Sequence, residues 1–484
     1  MNETSSPRPA TPVPAPPAPA PAAPPDNGPG TGAGAGRILA VTSAATFLAF
    51  LDSTVVNVAF PDLRAAFPEV TLPRLTWVVS AYAVLFAALL ASAGRLADTL
   101  GRRSLFLGST LAFTATSLAA ALAPTADLLI LARALQGAAA AGMIPAALGL
   151  VLAHTPPARR AAALGVWGAA GGLAAALGPS VGGLLVDLAD WRAIFLVNLP
   201  IGLAVAWAAA RALPAEPRRT SRLPDPLGTA ALVLGIGAAV AGLTQGAEWG
   251  WTAPAVLGLL TGGALLTALA VARSHAHPAP AVDLDLRHDR TFARANLAAL
   301  LFGAGMYAWL LAGPSYLTAR WDFSALEAGL GVTPGAFLAM AGSLVVGRKV
   351  PPHLQWAALA TGTLLFAANA LLMWAWADTS TSYAQVFLPA GLIGGLGVGV
   401  ALTALAALGS RSLPPQRFAA GTGLLMTSRQ LGGALGIAAM AALLTGGTGG
   451  TDGSWEHVFL LCALTSLAAA ATAPALRGRG VRKG

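Results

Sequence analysis

From Ile38 onward the chain repeats one pattern, an apolar stretch of about twenty residues followed by a short polar segment. Each stretch is long enough to cross a hydrocarbon core of about 30 Å as a helix. The spans read as 38–60, 75–94, 105–123, 126–152, 161–186, 193–213, 227–246, 254–272, 293–315, 328–347, 355–377, 384–409, 420–446 and 456–475. The composition fits no soluble alternative. Only 10% of residues are charged and 56% are hydrophobic, whereas a soluble chain carries about 25% charge. The expected fold class is therefore an all-α polytopic membrane protein.

Other classes are excluded by the same residues. The net charge of +9 suggests nucleic acid, but the arginines lie in small clusters between apolar runs and form no basic stripe or binding module. Cys462 is the single cysteine, so an intramolecular disulfide or a Cys-cluster metal site is impossible. The six histidines show no ligand spacing, and no metal site is expected.

Arginine placement orients the spans. With the N-terminus in the cytoplasm, the alternating segments put most Arg and Lys inside. The outer loops keep Arg64, Arg74, Arg192 and Arg320, while Arg133 and Arg429 fall within helices. The domain reading follows. Residues 1–37 form a disordered Pro/Ala/Gly-rich cytoplasmic tail and 38–213 an N-terminal six-helix bundle. Two extra helices with flanking cytoplasmic loops occupy 214–292. A C-terminal six-helix bundle covers 293–475, and 476–484 is a basic cytoplasmic tail. Repeated halves with a site at their interface are a recurring transporter design.

Four stretches carry chemistry. Gly94-Arg95-Leu96-Ala97-Asp98-Thr99-Leu100-Gly101-Arg102-Arg103 joins the second and third spans. Its glycines permit a tight turn, and Asp98 can accept charge-assisted hydrogen bonds from an arginine or a helix N-terminus. Asp52 lies within the first span, where a carboxylate faces protein or water and is functional by default. Arg133 lies in the fourth span, in Leu131-Ala132-Arg133-Ala134-Leu135-Gln136-Gly137. Asp52 is about 21 Å above the inner start of its helix and Arg133 roughly 10 Å below the outer start of its own. In a core of about 30 Å the two share one height, which predicts a direct or water-mediated pair. The fifth span carries Gly165, Ala174, Gly178, Pro179, Gly182 and Gly183, small residues that allow close helix packing and a proline that bends the helix.

These stretches resemble the signatures of the fourteen-helix drug:proton antiporter branch of the major facilitator superfamily, across about 38–475. The helix-1 run Leu51-Asp52-Ser53-Thr54-Val55-Val56-Asn57, the runs Trp191–Gly202 and Thr427–Gly436, and the loop motif are all similar to that branch. The fifth span is similar to its antiporter motif, with Ala174 in place of a glycine. The second-half counterpart of the loop motif, Gly347-Arg348-Lys349, lacks the Asp. The resemblance implies two six-helix bundles plus two central helices, fourteen spans in all, and alternating access. It implies proton coupling through Asp52 and Arg133, and a cytoplasmic gate of Gly94, Arg95, Asp98, Gly101, Arg102 and Arg103.

No G-x4-GK-[ST] loop is present, so ATP is not the expected driver and no cofactor is required. The proton-motive force remains, at about 2.3 kcal/mol per charge per 100 mV. Expected partners are protons, the lipid bilayer and a lipophilic small molecule, with no nucleic acid and a monomeric chain. Candidate substrate liners are Asn57, Gln136, Asn198, Asn296, Tyr307, Asn369 and Arg429. Helix–helix hydrogen bonding explains buried Asn and Gln equally well. Glu327, at the outer start of its span, is a second carboxylate to consider. The expectation is a non-enzymatic multidrug or antibiotic exporter of the cytoplasmic membrane. The alternatives are an exporter dedicated to one metabolite, such as a self-made antibiotic, and a multi-span membrane enzyme or receptor.

Overall fold

The computed structural model describes residues 31–214, 225–281, 289–376, 382–411, 413–445 and 455–477. Among these there is no strand. The helices of the first half are α1 (Thr31–Val58), α2 (Phe60–Ala66), α3 (Leu72–Leu100), α4 (Arg102–Ala121), α5 (Ala126–His154), α6 (Arg160–Leu188), α7 (Ala193–Leu196) and α8 (Asn198–Ala212). A hairpin of α9 (Pro226–Trp249) and α10 (Pro254–Ala276) follows. The second half holds α11 (Arg290–Trp321), α12 (Ala325–Lys349), α13 (Gln355–Trp376), α14 (Leu388–Arg411), α15 (Phe418–Thr445) and α16 (Trp455–Thr472).

Twelve described helices are long and apolar enough to cross a membrane. Helices α6 (29 residues) and α15 (28 residues) are as long, and Arg429 with Gln430 lowers the apolar character of α15. The expected count of fourteen spans is thus established for twelve. Helix α1 begins at Thr31, inside the stretch expected to be disordered. Pro29 is the last proline before it, and nothing beyond that point bars a helix. Residues 1–30 and 478–484, which make up most of the two tails, lie outside the described residues.

Helix boundaries follow local chemistry. Gly101 takes φ +98° between α3 and α4, a left-handed turn that suits glycine. Thr125 and Asp289 cap α5 and α11 by accepting from backbone N–H groups. Ser324 and Glu327 form a reciprocal capping box at the start of α12, with Glu327 accepting from the Ser324 N–H and hydroxyl at 2.8 Å each. That exposed cap occupies Glu327, so the sequence's second carboxylate is a helix-start residue here.

The two halves meet along α6 against α12 and α3 against α15. At the end of the bundle carrying Arg95, Arg102 and Arg103, called here the arginine-rich end, one apolar cluster joins them. It includes Phe106, Leu148 and Leu150 of the first half with Leu413, Phe418 and Met426 of the second. At the opposite end the cores are separate: Val55, Leu63, Leu75 and Trp191 in one half, Tyr316, Leu317, Phe387 and Phe459 in the other. Leu184 and Leu188 near the end of α6 are 59% and 75% exposed, and Leu330 near the start of α12 is 50% exposed. The same two helices touch closely at Gly165 and Gly347. The molecule is closed at its arginine-rich end and parted at the other.

The hairpin lies over the seam between α3 and α15. Leu232, Ile236 and Val240 of α9 pack with Val84, Ala88 and Ala91 of α3 and with Leu424, Leu431 and Ala434 of α15. Helix α10 packs mainly on α9. At the hairpin's base, Arg273 donates to Asp225 through Nε and, at 3.1 Å, through a terminal nitrogen, and His277 Nε2 lies 4.0 Å from the same carboxylate. Asp225 also caps α9 through the Leu227 N–H. These hydrogen bonds from Arg273 hold the Asp225 carboxyl below the usual carboxylate range.

Candidate functional site

Helices α1 and α5 cross with Asp52 and Arg133 at one height, and the pair forms. Arg133 Nη1 donates to Asp52 Oδ2 at 2.6 Å, with both side chains essentially inaccessible. Gln136, one turn along α5, donates to Asp52 Oδ1 at 2.9 Å and accepts from Arg133 at 2.7 Å. Asn198, the first residue of α8, donates to Asp52 Oδ1 at 2.7 Å and to Ser117 Oγ of α4 at 2.9 Å. Ser117 in turn donates to the Phe195 carbonyl.

Arg133 is held independently of the carboxylate. Its Nε donates to the Val78 carbonyl of α3 at 3.1 Å. Its guanidinium carbon lies 4.5 Å from the Tyr82 ring centre and 5.7 Å from that of Phe195. A charge buried this deeply persists only when paired and hydrogen-bonded, and both partners here are. One buried acceptor is left over: Asn198 Oδ1 has no hydrogen-bond partner.

A second cluster closes the arginine-rich end. Asp98, in the last turn of α3, accepts from Arg102 Nη2 at 2.7 Å and Nε at 2.9 Å. Its other oxygen accepts the Ala420 N–H at 2.8 Å, in the first turn of α15, where a helix presents unsatisfied N–H groups to an anion. Arg102 also donates to the Gly149 carbonyl at 3.3 Å and to that of Pro415. Gly94 lies against Ala419 so closely that a Cβ would overlap its carbonyl. Gly94, Asp98 and Arg102 of the first half therefore grip the start of one second-half helix. Arg103 instead donates to the Ala210 carbonyl at the end of α8.

The fifth-span residues divide between two neighbours. Gly178 and Gly182 of α6 face Thr54 and Val55 of α1 with no room for a Cβ, and Ala174 is fully buried. Gly165 closes on α12, where a Cβ would lie 2.5 Å from the Ser343 carbonyl oxygen. Gly183 is half-buried. The side chains of Pro179 and Asn57 lie outside the described part of the structure.

The expected substrate liners separate. Gln136 and Asn198 are fully buried partners of Asp52. Asn369 of α13 is also fully buried, against Gly394 of α14, with neither amide atom bonded. Asn296 of α11 donates to its own helix and accepts from Ser428 of α15 at 2.9 Å. Tyr307 of α11 rests on Gly433 of α15. Arg429 is half-buried, and its Nε has no partner. Sequence reasoning placed Asn198 among liners and missed Ser117. The one available signal was that Asn198 starts a helix at a bend, where its side chain points back into the bundle. Among the described residues no group of His, Cys, Asp and Glu is placed to hold a metal.

A similar architecture occurs in the crystal structure of the human organic anion transporter MFSD10. It matches with a TM-score of 0.64 over 89% of this chain and 99% of that one, at 20% identity, a likeness of fold alone. The probable actinorhodin transporter of Streptomyces coelicolor is 33% identical over 87% of this chain and 76% of its own length. The multidrug resistance protein Stp of Mycobacterium tuberculosis is 32% identical over 84% and 75%. The model of the Major Facilitator Superfamily matches residues 42–437. With a buried charge cluster between its first and fifth helices, a latch joining its halves and relatives of this identity along most of its length, the chain belongs to the Major Facilitator Superfamily.

Proposed function

We propose that this protein exports lipophilic drugs or antibiotics across the cytoplasmic membrane by alternating access, exchanging them for protons at Asp52. The observation that carries the reading is the Asp52–Arg133 pair, a carboxylate at mid-membrane depth accepting from Arg133, Gln136 and Asn198. The arginine-rich end is the cytoplasmic side, by the retention of basic residues there. The structure is then the state open to the outside, and both termini are cytoplasmic.

The chemistry of the cluster suits a switch. With Asp52 ionised the pair is neutral. A proton arriving on Asp52 leaves the Arg133 charge uncompensated in a low-dielectric interior, which is unfavourable. It also makes one carboxyl oxygen a donor that needs an acceptor. Asn198 Oδ1 is the unused acceptor beside it, and rotation of that amide presents it to the new O–H. Arg133, held by Val78, Tyr82 and Phe195, stays in place while the contact between α1 and α5 loosens. Opening the cytoplasmic side additionally breaks the hold of Asp98 on α15.

The decisive experiment is substrate-induced proton release in inverted vesicles, wild type beside Asp52→Asn. A response in wild type that disappears in the variant supports antiport through Asp52. Equal responses would remove Asp52 from the coupling. The actinorhodin transporter, whose name specifies one antibiotic, favours a second reading, an exporter of one compound. A broad panel with a single active member would select it.

A further inference from the structure

Arg429 lies deep in the membrane-spanning part of this protein with no acidic partner among the described residues. It is the twelfth residue of α15, about 16 Å from that helix's start, near the middle of a core of about 30 Å. Among the described residues no carboxylate pairs with it, and its Nε is buried without an acceptor. The described carboxylates of the second half sit at its two ends and not beside Arg429: Asp289 caps the start of α11 and Asp322 ends it, Glu327 is held in its capping box, and Glu456 lies in the first turn of α16. Asp52 already accepts from three side chains.

The face on which Arg429 lies is fixed by its helix neighbours. At 3.6 residues per turn, Leu424, Leu431 and Ala434 fall on the side packed against α9, and Leu435 beside them is 46% exposed. Gly432 and Gly436 abut Leu300 and Ala304 of α11, and Gly423 abuts Leu90 of α3. Arg429 falls on the arc between α11 and α3, turned away from the hairpin and the lipid, toward the space between the halves. Its stem passes Gly303 of α11, where a Cβ would lie 3.1 Å from Arg429 Cγ. One turn further along both helices Tyr307 leans on Gly433, where a Cβ would lie 2.5 Å from its ring, and its hydroxyl makes no hydrogen bond within the described protein.

We infer that Arg429, with the Tyr307 hydroxyl, is the subsite that receives an acidic group, a carboxylate or an acidic phenol, on the exported compound. An unpaired guanidinium at this depth calls for a counter-anion, and a planar fork of N–H donors fits a carboxylate two-pronged. The phenolic O–H one turn away supplies a further donor to the same group. The pair on α1 and α5 handles the proton, and the wall of α11 and α15 handles the substrate's charge. This deepens the exporter reading and rests on it.

The test uses the full chain in phosphatidylcholine vesicles, free of anionic headgroups, with an imposed pH gradient. The probes are pyrenebutyrate, its primary amide and the corresponding pyrenebutyl ammonium. Wild type is expected to show a KM for the acid about tenfold below that for the amide, the size of a charge-assisted hydrogen bond pair. Arg429→Gln should bring that ratio to about one, with Arg429→Lys between because a point charge lacks the fork. Tyr307→Phe should lower the ratio about threefold. The ratio is read within one preparation, so partial loss of folded protein does not alter it, and the wild-type ratio alone decides if the variants fail to fold. A wild type that moves the amide or the ammonium as well as the acid, or a ratio indifferent to Arg429, overturns the subsite and leaves the exporter standing. A wild type that moves none of the three and releases no protons with a broad drug panel overturns the exporter and the subsite with it.

Discussion

Two arginines sit at mid-membrane depth in this protein, and their surroundings are opposite. Arg133 is fully buried and touches a carboxylate, an amide oxygen, a backbone carbonyl and two aromatic rings. Arg429 is half-buried with an unbonded Nε and no acidic neighbour. A transporter half that contained only the first kind would be static, because every charge is already satisfied. One that contained only the second would have nothing to couple to. On the proposed function, the contrast separates the two jobs of exchange: a closed polar network that a proton would unbalance, and an open charge that a ligand would balance.

The largest expected effect follows from breaking the closed network. Arg133→Ala leaves the Asp52 carboxylate buried without its cation, a change of about 3–5 kcal/mol against the folded state. Arg429→Met should be neutral or stabilising, because removing an unpaired charge from a membrane interior is favourable. Thermal unfolding of the two purified variants in detergent checks both at once. Equal destabilisation by both would erase the contrast between the two arginines.

The second effect sharpens the same point through coupling. Asp52→Asn together with Arg133→Gln removes both charges and keeps hydrogen-bonding shapes. The double variant should be more stable than Arg133→Gln alone by about 1–3 kcal/mol, the range of coupling between contacting residues. It should export nothing against a proton gradient. Additive single effects would mean that the pair is not the energetic unit its 2.6 Å contact suggests.

The third concerns the ends of the molecule. Asp98→Asn keeps the side chain's size but loses charge-assisted bonds to Arg102 and to the α15 N-terminus. A loss of about 1.5–3 kcal/mol would move the balance between closed and open arginine-rich ends by roughly tenfold or more. Spin labels at the exposed positions Leu184 and Leu330 report it by distance: the parted end should close as the latched end opens. An unchanged distance distribution would make Asp98 a local packing residue.

Much of this was legible in the sequence, and the reason is geometric. A helix rises by a fixed amount per residue, so two charges in known spans have known heights, and Asp52 with Arg133 could be paired by counting. Asp98 was legible because its loop brings an acid, two glycines and an arginine one turn apart. Lateral placement was not legible. The helices are apolar nearly all round, so their pattern does not say which faces meet. Hence the bonds of Gln136 and Asn198 to Asp52 had no signal, and neither did the position of α9 over the α3–α15 seam. The count of fourteen spans rested on apolar length, which Arg429 and Gln430 reduce in α15.

The smallest effect tests the hairpin of α9 and α10. Asp225 is gripped by Arg273 and ties the bases of α9 and α10 together, but Arg273 is 40% exposed, where ion pairs contribute little. Asp225→Asn should therefore lower thermal stability less than Arg133→Ala or Asp98→Asn and leave proton release intact. Its pH dependence has a fixed sign. The folded carboxyl is held below the usual range, so the ion pair contributes fully above the unfolded value of about 3.9 and fades as pH falls through the lower folded value. The difference between Asp225→Asn and wild type should thus be constant from neutral pH down to the ordinary carboxylate range and vanish below it. A difference that instead faded well above the ordinary carboxylate range would mean that the Asp225–Arg273 pair is not what holds the base of the hairpin together.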